Sequence, residues 1–140
     1  MPYRFLEHTA DIRMMVVGHN LNQVFEDAFY GLMHYLRPKD ENYSGQVRRL
    51  ISVSSFDLTN LLIDFLNEIL AFSQIHKEIY NKIKFIHFPD ENDKNLFIEA
   101  EISGSEINCF YKDIKAITYH EANLIKNKDG QWLVVITFDI

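Results

Sequence analysis

The last two residues of the chain place two carboxylates at the end of an apolar run. Asp139 carries a side-chain carboxylate and Ile140 the terminal one, after a strand-like run that begins near Trp132. Carboxylates buried together are costly, so they need a cation, a basic side chain or full exposure to solvent. Near the other end, Asp11 precedes a second strand-like run, and His8 lies three residues before it. Spacing alone leaves open whether these are ligands of a cation or ordinary capping and solvated residues.

The turn before the last strand predicts what lies opposite these carboxylates. Asp129-Gly130 is a strong hairpin signal, because a type I′ turn requires a positive φ at both central positions. A two-residue loop there predicts His120 opposite Asp139, and a one-residue bulge predicts Tyr119 beside it instead. His120 is therefore either a candidate ligand or a satisfied polar residue.

Length and composition indicate one globular domain over residues 1–140. Hydrophobic residues make up 47% of the chain, which is typical of a protein that folds without a partner. The 20 acidic and 14 basic residues give a net charge of −6, so extended nucleic-acid contact is disfavoured. The lone Cys109 can form neither an intramolecular disulfide nor a cysteine-rich metal site. Since no signal peptide or membrane-spanning run is recognisable, we expect a cytoplasmic protein.

The clearest helical pattern precedes the middle of the chain. It predicts a helix from Leu21 to Leu36, with Asn20 as the N-cap and Pro38 preventing its continuation. The apolar positions that share one face of this helix are Leu21, Val24, Phe25, Ala28, Phe29, Leu32, Met33 and Leu36. This spacing predicts that the helix buries one side against a sheet or another helix.

A second helix is predicted after a cap at Ser55 or Asp57. It is apolar around most of its circumference, so it should be largely buried. Its narrow polar stripe consists of Asp64, Asn67 and Glu68, whose spacing projects the three side chains together. The simplest interpretation of the stripe is a strip that faces solvent.

The remaining patterns predict strands, because β-branched and aromatic residues are concentrated in them. These segments are Tyr3 to Glu7, Asp11 to Gly18, Gln46 to Ser54, Lys82 to Phe88, Leu96 to Ile102, Lys115 to Lys126 and Gln131 to Ile140. The last of them is apolar on both faces and should be central in its sheet. The expected fold class is α+β, with mostly antiparallel sheet packed against two main helices.

Four segments together resemble the signature of the archease family and occur in that family's order. They are His8-Thr9-Ala10-Asp11-Ile12, Leu61-Leu62-Ile63-Asp64-Phe65-Leu66-Asn67-Glu68-Ile69-Leu70, Lys115-Ala116-Ile117-Thr118-Tyr119-His120 and the terminal Asp139-Ile140. The first helix, with Glu26-Asp27-Ala28, is similar as well, so the resemblance covers essentially the whole chain. It implies an archease-like fold.

The resemblance also implies an acidic metal site formed by Asp11, Asp139 and Ile140. Ligands that are all oxygen suit Ca²⁺, Mg²⁺ or Mn²⁺ better than zinc, and Ca²⁺ is the expected ion. The functional surface expected around this site consists of Lys115, His8 and His120.

Archeases are understood to promote guanylylation and turnover of the tRNA-splicing ligase, which joins RNA 2′,3′-cyclic phosphate or 3′-phosphate ends to 5′-hydroxyl ends. The resemblance therefore implies an accessory protein rather than an enzyme. Its partner would be the RNA ligase, with RNA contacted only indirectly and no membrane contact.

Two departures from the family pattern concern partner contacts and the core. The segment 105–114 is shorter than the loop rich in Pro, Arg and His that many archeases carry there. Phe65 stands where the family often has Trp, an exchange that should leave the helix intact.

Two other functional readings compete with an RNA-ligase activator. One is a free-standing enzyme that uses His8 or His120 as a base with Asp11 and Lys115, although no nucleophile elbow, phosphate-binding glycine loop or HExxH motif is present. The other is a chaperone-like modulator of a tRNA methyltransferase or another RNA-processing enzyme.

Overall fold

The computed structural model describes residues 2–7 and 11–140, and the expected α+β class is confirmed there. In chain order the described elements are β1 (Tyr3–Glu7), β2 (Asp11–Gly18), α1 (Leu21–Leu36), β3 (Tyr43–Ser55), α2 (Leu58–His76), β4 (Glu78–His87), β5 (Leu96–Ile107), β6 (Ala116–Thr118), β7 (Ile125–Lys126) and β8 (Trp132–Asp139). The bounds of β1, β2 and α1 are those that the sequence predicts. Strands β3 and β5 are longer than predicted because they pair with each other over their whole length, which extends both into weak strand formers.

The strands form two antiparallel sheets. The first has the order β1-β2-β8-β6, with β7 also paired to β8, and the second has the order β3-β5-β4. The last strand, β8, lies between β2 on one side and β6 and β7 on the other, which confirms its predicted central position. Val134, Ile136 and Phe138 on its inner face have no exposed surface.

The two helices pack against both sheets, so the core lies between the sheets. Helix α1 contacts β2 and β4, and α2 contacts β3 and β6, which explains why α2 is buried around most of its circumference. The α1 cap is Asn20, whose side chain accepts from Gln23 N at 2.8 Å, and the α2 cap is Asp57 rather than Ser55, accepting from Asn60 N at 2.7 Å. Neither helix combines the length and apolar character needed to cross a bilayer.

The continuous strand predicted from Lys115 to Lys126 is wrong. The chain forms the short strands β6 and β7 there, and residues 119–124 leave the sheet between them. Leu124 is buried, and its N–H donates to Thr59 Oγ1 at the start of α2 at 3.1 Å. The chain therefore departs from the sheet because burial of Leu124 against α2 competes with ladder pairing.

The register predicted for Asp139 is also wrong. Lys126 pairs with Trp132 in β7, but across the excursion the ladder resumes with Ala116 opposite Asp139. Neither His120 nor Tyr119 lies opposite Asp139, because both belong to the segment that has left the sheet.

The short segment 105–114 packs against the end of α1. Its first residues continue β5, and Phe110 forms a bridge with Pro38. The N–H of Tyr111 donates to the carbonyl oxygens of Leu36 at 3.1 Å and Arg37 at 2.7 Å, which satisfies acceptors that a helix end leaves free.

Candidate metal centre

Two carboxylates from distant parts of the chain lie directly opposite each other in the first sheet. Pairing of β2 with β8 puts Asp11 opposite Asp139, and pairing of β6 with β8 puts Ala116 on the other side of Asp139. Residues directly opposed in an antiparallel pair have Cβ atoms about 4.5–5.5 Å apart and share one face of the sheet. The expectation that Asp11 meets the end of the last strand is therefore confirmed.

Arg13 partly balances this negative charge. Like charges directly opposite each other destabilise a strand pair, and Arg13 lies on the same face of β2 as Asp11, with its Nε 3.7 Å from Asp11 Oδ1. Its Nη1 is also 3.6 Å from Oε2 of Glu121. The side chains of Asp11 and Arg13 are 21% and 28% exposed, so solvent screens this pair less than it screens a surface pair.

Lys115 is attached to the end of β8 by its main chain. The N–H of Lys115 donates to the carbonyl oxygen of Asp139 at 2.7 Å. The side chains of Lys115, Asp139 and Ile140 are all exposed. This rim is therefore accessible to an ion or a protein partner that arrives from solvent.

Of the two histidines in the predicted functional surface, the structure describes only His120. His120 lies in the excursion after β6, and its Nε2 is 3.6 Å from Oε1 of Glu121. Because Glu121 also approaches Arg13, which in turn approaches Asp11, a chain of ion pairs links His120 to Asp11. His8 lies outside the described residues.

The polar stripe of α2 holds β6 in place, so the predicted solvent-facing strip is wrong for two of its three members. The Asn67 side chain donates to the carbonyl oxygen of Ile117 at 2.8 Å and accepts from its N–H at 3.1 Å. Asp64 accepts from the hydroxyl of Tyr119, and this hydrogen bond, with partial burial, raises the pKa of Tyr119. Glu68 is the exposed member.

Replacing Asn67 with alanine is expected to destabilise the protein by roughly 2 kcal/mol, because the buried N–H and carbonyl of Ile117 would lose their partner. Urea denaturation measures the effect. The matched control is Glu68→Ala on the same helix face, expected to stay within about 0.5 kcal/mol; equal losses in both variants would contradict the anchoring role.

Arg13 and Glu121 are residues of this site that the sequence reasoning did not select. The sequence could have predicted Arg13, because it lies two residues after Asp11 on a predicted strand and such a spacing puts both side chains on one face. No sequence signal pointed to Glu121, since it sits at a φ of 56° in a segment whose composition predicts a strand.

The donor set fits a hard divalent cation. Asp11 and Asp139 supply carboxylate oxygens from one face of the sheet. In the part of the chain that the structure describes, no group of three or more His, Cys, Asp and Glu side chains could hold a metal ion. A cation bound here would therefore complete its coordination with main-chain oxygens, water or a partner's groups.

Comparisons with known proteins agree with this fold over almost the full chain. A model of the Archease protein family (MTH1598/TM1083) matches residues 3–140. "Protein archease" of Methanosarcina acetivorans is 32% identical, with 99% of this chain and 95% of the relative covered. "Protein archease" of Sulfurisphaera tokodaii is 27% identical, with 99% and 98% covered.

Two solved structures are similar as well. The solution structure of Methanobacterium thermoautotrophicum protein 1598 superposes with a TM-score of 0.80 at 25% identity and covers 99% of both chains. The crystal structure of a Thermotoga maritima archease, described as a possible chaperone, has a TM-score of 0.64 at 18% identity and covers 96% of this chain and 94% of its own. The second likeness concerns the fold alone.

Proposed function

Because this chain belongs to the archease family, we propose that it is an accessory protein that activates a tRNA-splicing RNA ligase. In this proposal it also binds a divalent metal ion through Asp11, Asp139 and Ile140, and Ca²⁺ is the first candidate. In this role it promotes guanylylation and repeated turnover of the ligase. The observation that carries the proposal is the register of β2 against β8, which sets Asp11 opposite Asp139. Two opposed carboxylates at a solvent-accessible rim are favourable mainly when a cation is shared between them.

Each residue of the rim has a separate part in this proposal. Asp11 and Asp139 bind the cation, and Arg13 limits the charge repulsion on the Asp11 side. The exposed Lys115 faces the partner beside the carboxylates, at a position fixed by its hydrogen bond to Asp139. The chemistry that a bound divalent cation supplies is neutralisation of phosphate charge during nucleotidyl transfer to the ligase.

The charge of the chain favours a protein partner over direct RNA binding. A net charge of −6 repels a phosphate backbone, so RNA would be reached through the ligase. Central placement of β8 holds Asp139 on a rigid strand end, which suits a site that presents an ion to a partner.

Asp139→Asn and Asp11→Asn are each expected to abolish stimulation of the ligase and to lower calcium affinity, because one of two opposed charged ligands is lost. Without metal, Asp139→Asn should not be less stable than the parent, since removing one of two opposed like charges relieves repulsion. Asp11→Asn relieves the same repulsion but also loses the ion pair with Arg13. Multiple-turnover ligation of RNA with 2′,3′-cyclic phosphate and 5′-hydroxyl ends measures the first effect. Calcium titration with thermal unfolding measures the second, since a ligand that binds only the folded state raises Tm.

The matched control is Asp129→Asn, an exposed carboxylate in the turn before β8. It changes the net charge equally and should leave both measurements unchanged. Full stimulation by Asp139→Asn would overturn the proposed role of the site. Stimulation of another RNA-processing enzyme, such as a tRNA methyltransferase, without any effect on the ligase would favour the chaperone-like modulator instead.

A further inference from the structure

A polar pocket lies on the outer face of the second sheet, where the pairing on both sides of β5 is irregular. Its volume is about 260 Å³, and the side chains that line it with donor groups are Gln46, Arg48, Asn81, Lys82, Ser103 and Ser105. This face points away from the core, because Ile102 and Gly104, which flank Ser103 in β5, are buried. The pocket is therefore separate from the carboxylate pair, which belongs to the first sheet.

The register of the sheet places the two cations of the pocket in one row. Arg48 of β3 and Lys82 of β4 both pair directly with Ser103 of β5, from opposite sides. Directly opposed residues share a face of the sheet. Neighbouring strands are about 4.7–4.9 Å apart, so the main chains of Arg48 and Lys82 are roughly 10 Å apart. Two long side chains at this separation can both reach one group held above Ser103.

A β-bulge beside each cation adds a neutral donor to the row. In β3 the bulged residues are Gly45, at a φ of 68°, and Gln46. In β4 the extra residue is Asn81. Bulges re-aim side chains and are common beside functional sites. The amides of Gln46 and Asn81 therefore line the pocket together with the hydroxyls of Ser103 and Ser105.

The lining of the pocket is positively charged. Among the residues that the structure describes, it includes two cations and no acidic side chain. Glu101 is the next acidic residue along the outer face of β5, but it lies directly opposite Lys84 and does not line the pocket. The side chains of Arg48 and Lys82 are exposed, and neither forms an ion pair with a described residue. Both are therefore available to an anion that arrives from solvent.

We propose that this pocket binds a phosphate group, either the free ion or a small monoester, with Arg48 and Lys82 on either side of it and Ser103 beneath it. A phosphate presents acceptor oxygens in several directions, whereas a carboxylate presents two in one plane. Donors that come from three strands match the first arrangement.

The size of the pocket and the charge of the chain indicate a small ligand. The volume is below the roughly 300–1,000 Å³ of sites for drug-sized ligands, which suits a phosphate or a small monoester rather than a whole nucleotide. The net charge of −6 disfavours a nucleic-acid polymer. This inference does not depend on ligase activation.

Titration with inorganic phosphate and with O-phosphoserine, followed by two-dimensional amide NMR, tests the proposal. Saturable shifts are expected at the amides of Asn81, Lys82 and Ser103 to Ser105, and phosphate should bind roughly tenfold or more tighter than acetate. Tighter binding of phosphoserine than of phosphate would assign the pocket to a monoester, and the reverse order would assign it to the free ion.

Two variants test the residues that the proposal names. Arg48→Ala combined with Lys82→Ala should weaken phosphate binding by roughly tenfold or more, since each removes a charged hydrogen-bond donor. Ser103→Asp places a carboxylate between the two cations and should abolish binding although both cations remain. All three positions lie on the outer face of the sheet, and thermal unfolding checks that each variant is folded.

The control is Lys94→Ala combined with Lys128→Ala, two exposed lysines in turns that change the net charge equally and do not line the pocket. It should bind phosphate as the parent does. Absence of saturable shifts at the pocket with millimolar phosphate, equal weakening in both double variants, retained binding by Ser103→Asp, or equal affinity for acetate would overturn the proposal. Tighter binding of a phosphoserine peptide or a 5′-phosphorylated short RNA than of either small ligand would overturn the assignment to a small molecule.

Discussion

Gly104→Ala is expected to destabilise the protein by roughly 3 kcal/mol or more, the largest effect foreseen for a single methyl group. Gly104 lies in β5, the middle strand of the second sheet, opposite Val47 and Tyr80. A Cβ atom there would overlap the carbonyl oxygen of Ile79 and lie 2.6 Å from the Cα of Tyr80. Because both obstacles are main-chain atoms of a paired strand, they cannot move aside as the end of a flexible side chain can.

Chemical denaturation of Gly104→Ala beside Gly45→Ala isolates the effect of the clash. Gly45 has a φ of 68° and no atom within 4 Å of its added Cβ, so its replacement incurs only the conformational cost, about 1–2 kcal/mol. Equal losses in the two variants would show that the approach of β4 to β5 is not what requires glycine at position 104. A register shift in β4 after Tyr80 accompanies this close approach.

Glu78→Ala, which removes a buried carboxylate, is expected to lower the free energy of unfolding by about 3 kcal/mol at neutral pH. Glu78 is 1% exposed, and Arg49 donates to its two oxygens from Nε at 3.0 Å and Nη2 at 2.8 Å. The hydroxyl of Tyr80, itself buried, donates to the same carboxylate at 2.7 Å. Alanine would leave this hydroxyl without an acceptor inside the core. The side chain of Arg49 is 33% exposed, so water can replace part of the hydrogen bonding that its guanidinium loses.

The cluster formed by Glu78, Arg49 and Tyr80 also predicts how the stability of the protein depends on pH. Burial alone would raise the pKa of Glu78, but the hydrogen bonds from Arg49 and Tyr80 outweigh burial and lower that pKa below 4.5. A carboxyl whose pKa is lowered by folding stabilises the protein above its unfolded pKa, and this contribution is lost as the pH falls through the folded pKa. The parent should therefore lose stability relative to Glu78→Gln only below about pH 4.5.

Denaturation of the parent and Glu78→Gln at a series of pH values measures this difference. The two curves should lie apart at pH 7 and converge in acid, because protonated Glu78 is electrically equivalent to glutamine. A constant separation down to acid pH would contradict the assigned ionisation. Asp113→Asn, an exposed carboxyl remote from this cluster in the sequence, is the matched control and should follow the parent.

Local patterns were sufficient for the elements whose burial is decided by their own residues. The apolar spacing of α1, its Asn20 cap and the strands β1 and β2 were predicted with their observed bounds, because periodicity reports directly which side of an element is buried. The central place of β8 followed in the same way from its two apolar faces.

Which residues lie opposite one another across the strands was decided by the tertiary structure. From the sequence alone, Asp139 and Ile140 were recognisable as paired charges at a strand end, and Asp11 as a carboxylate that family resemblance joins to them. Only the folded chain decided that Ala116, not His120, lies opposite Asp139. The reason is that cross-strand register depends on how many residues leave the ladder, and here that number is set by burial of Leu124 against α2, a contact between residues far apart in the chain.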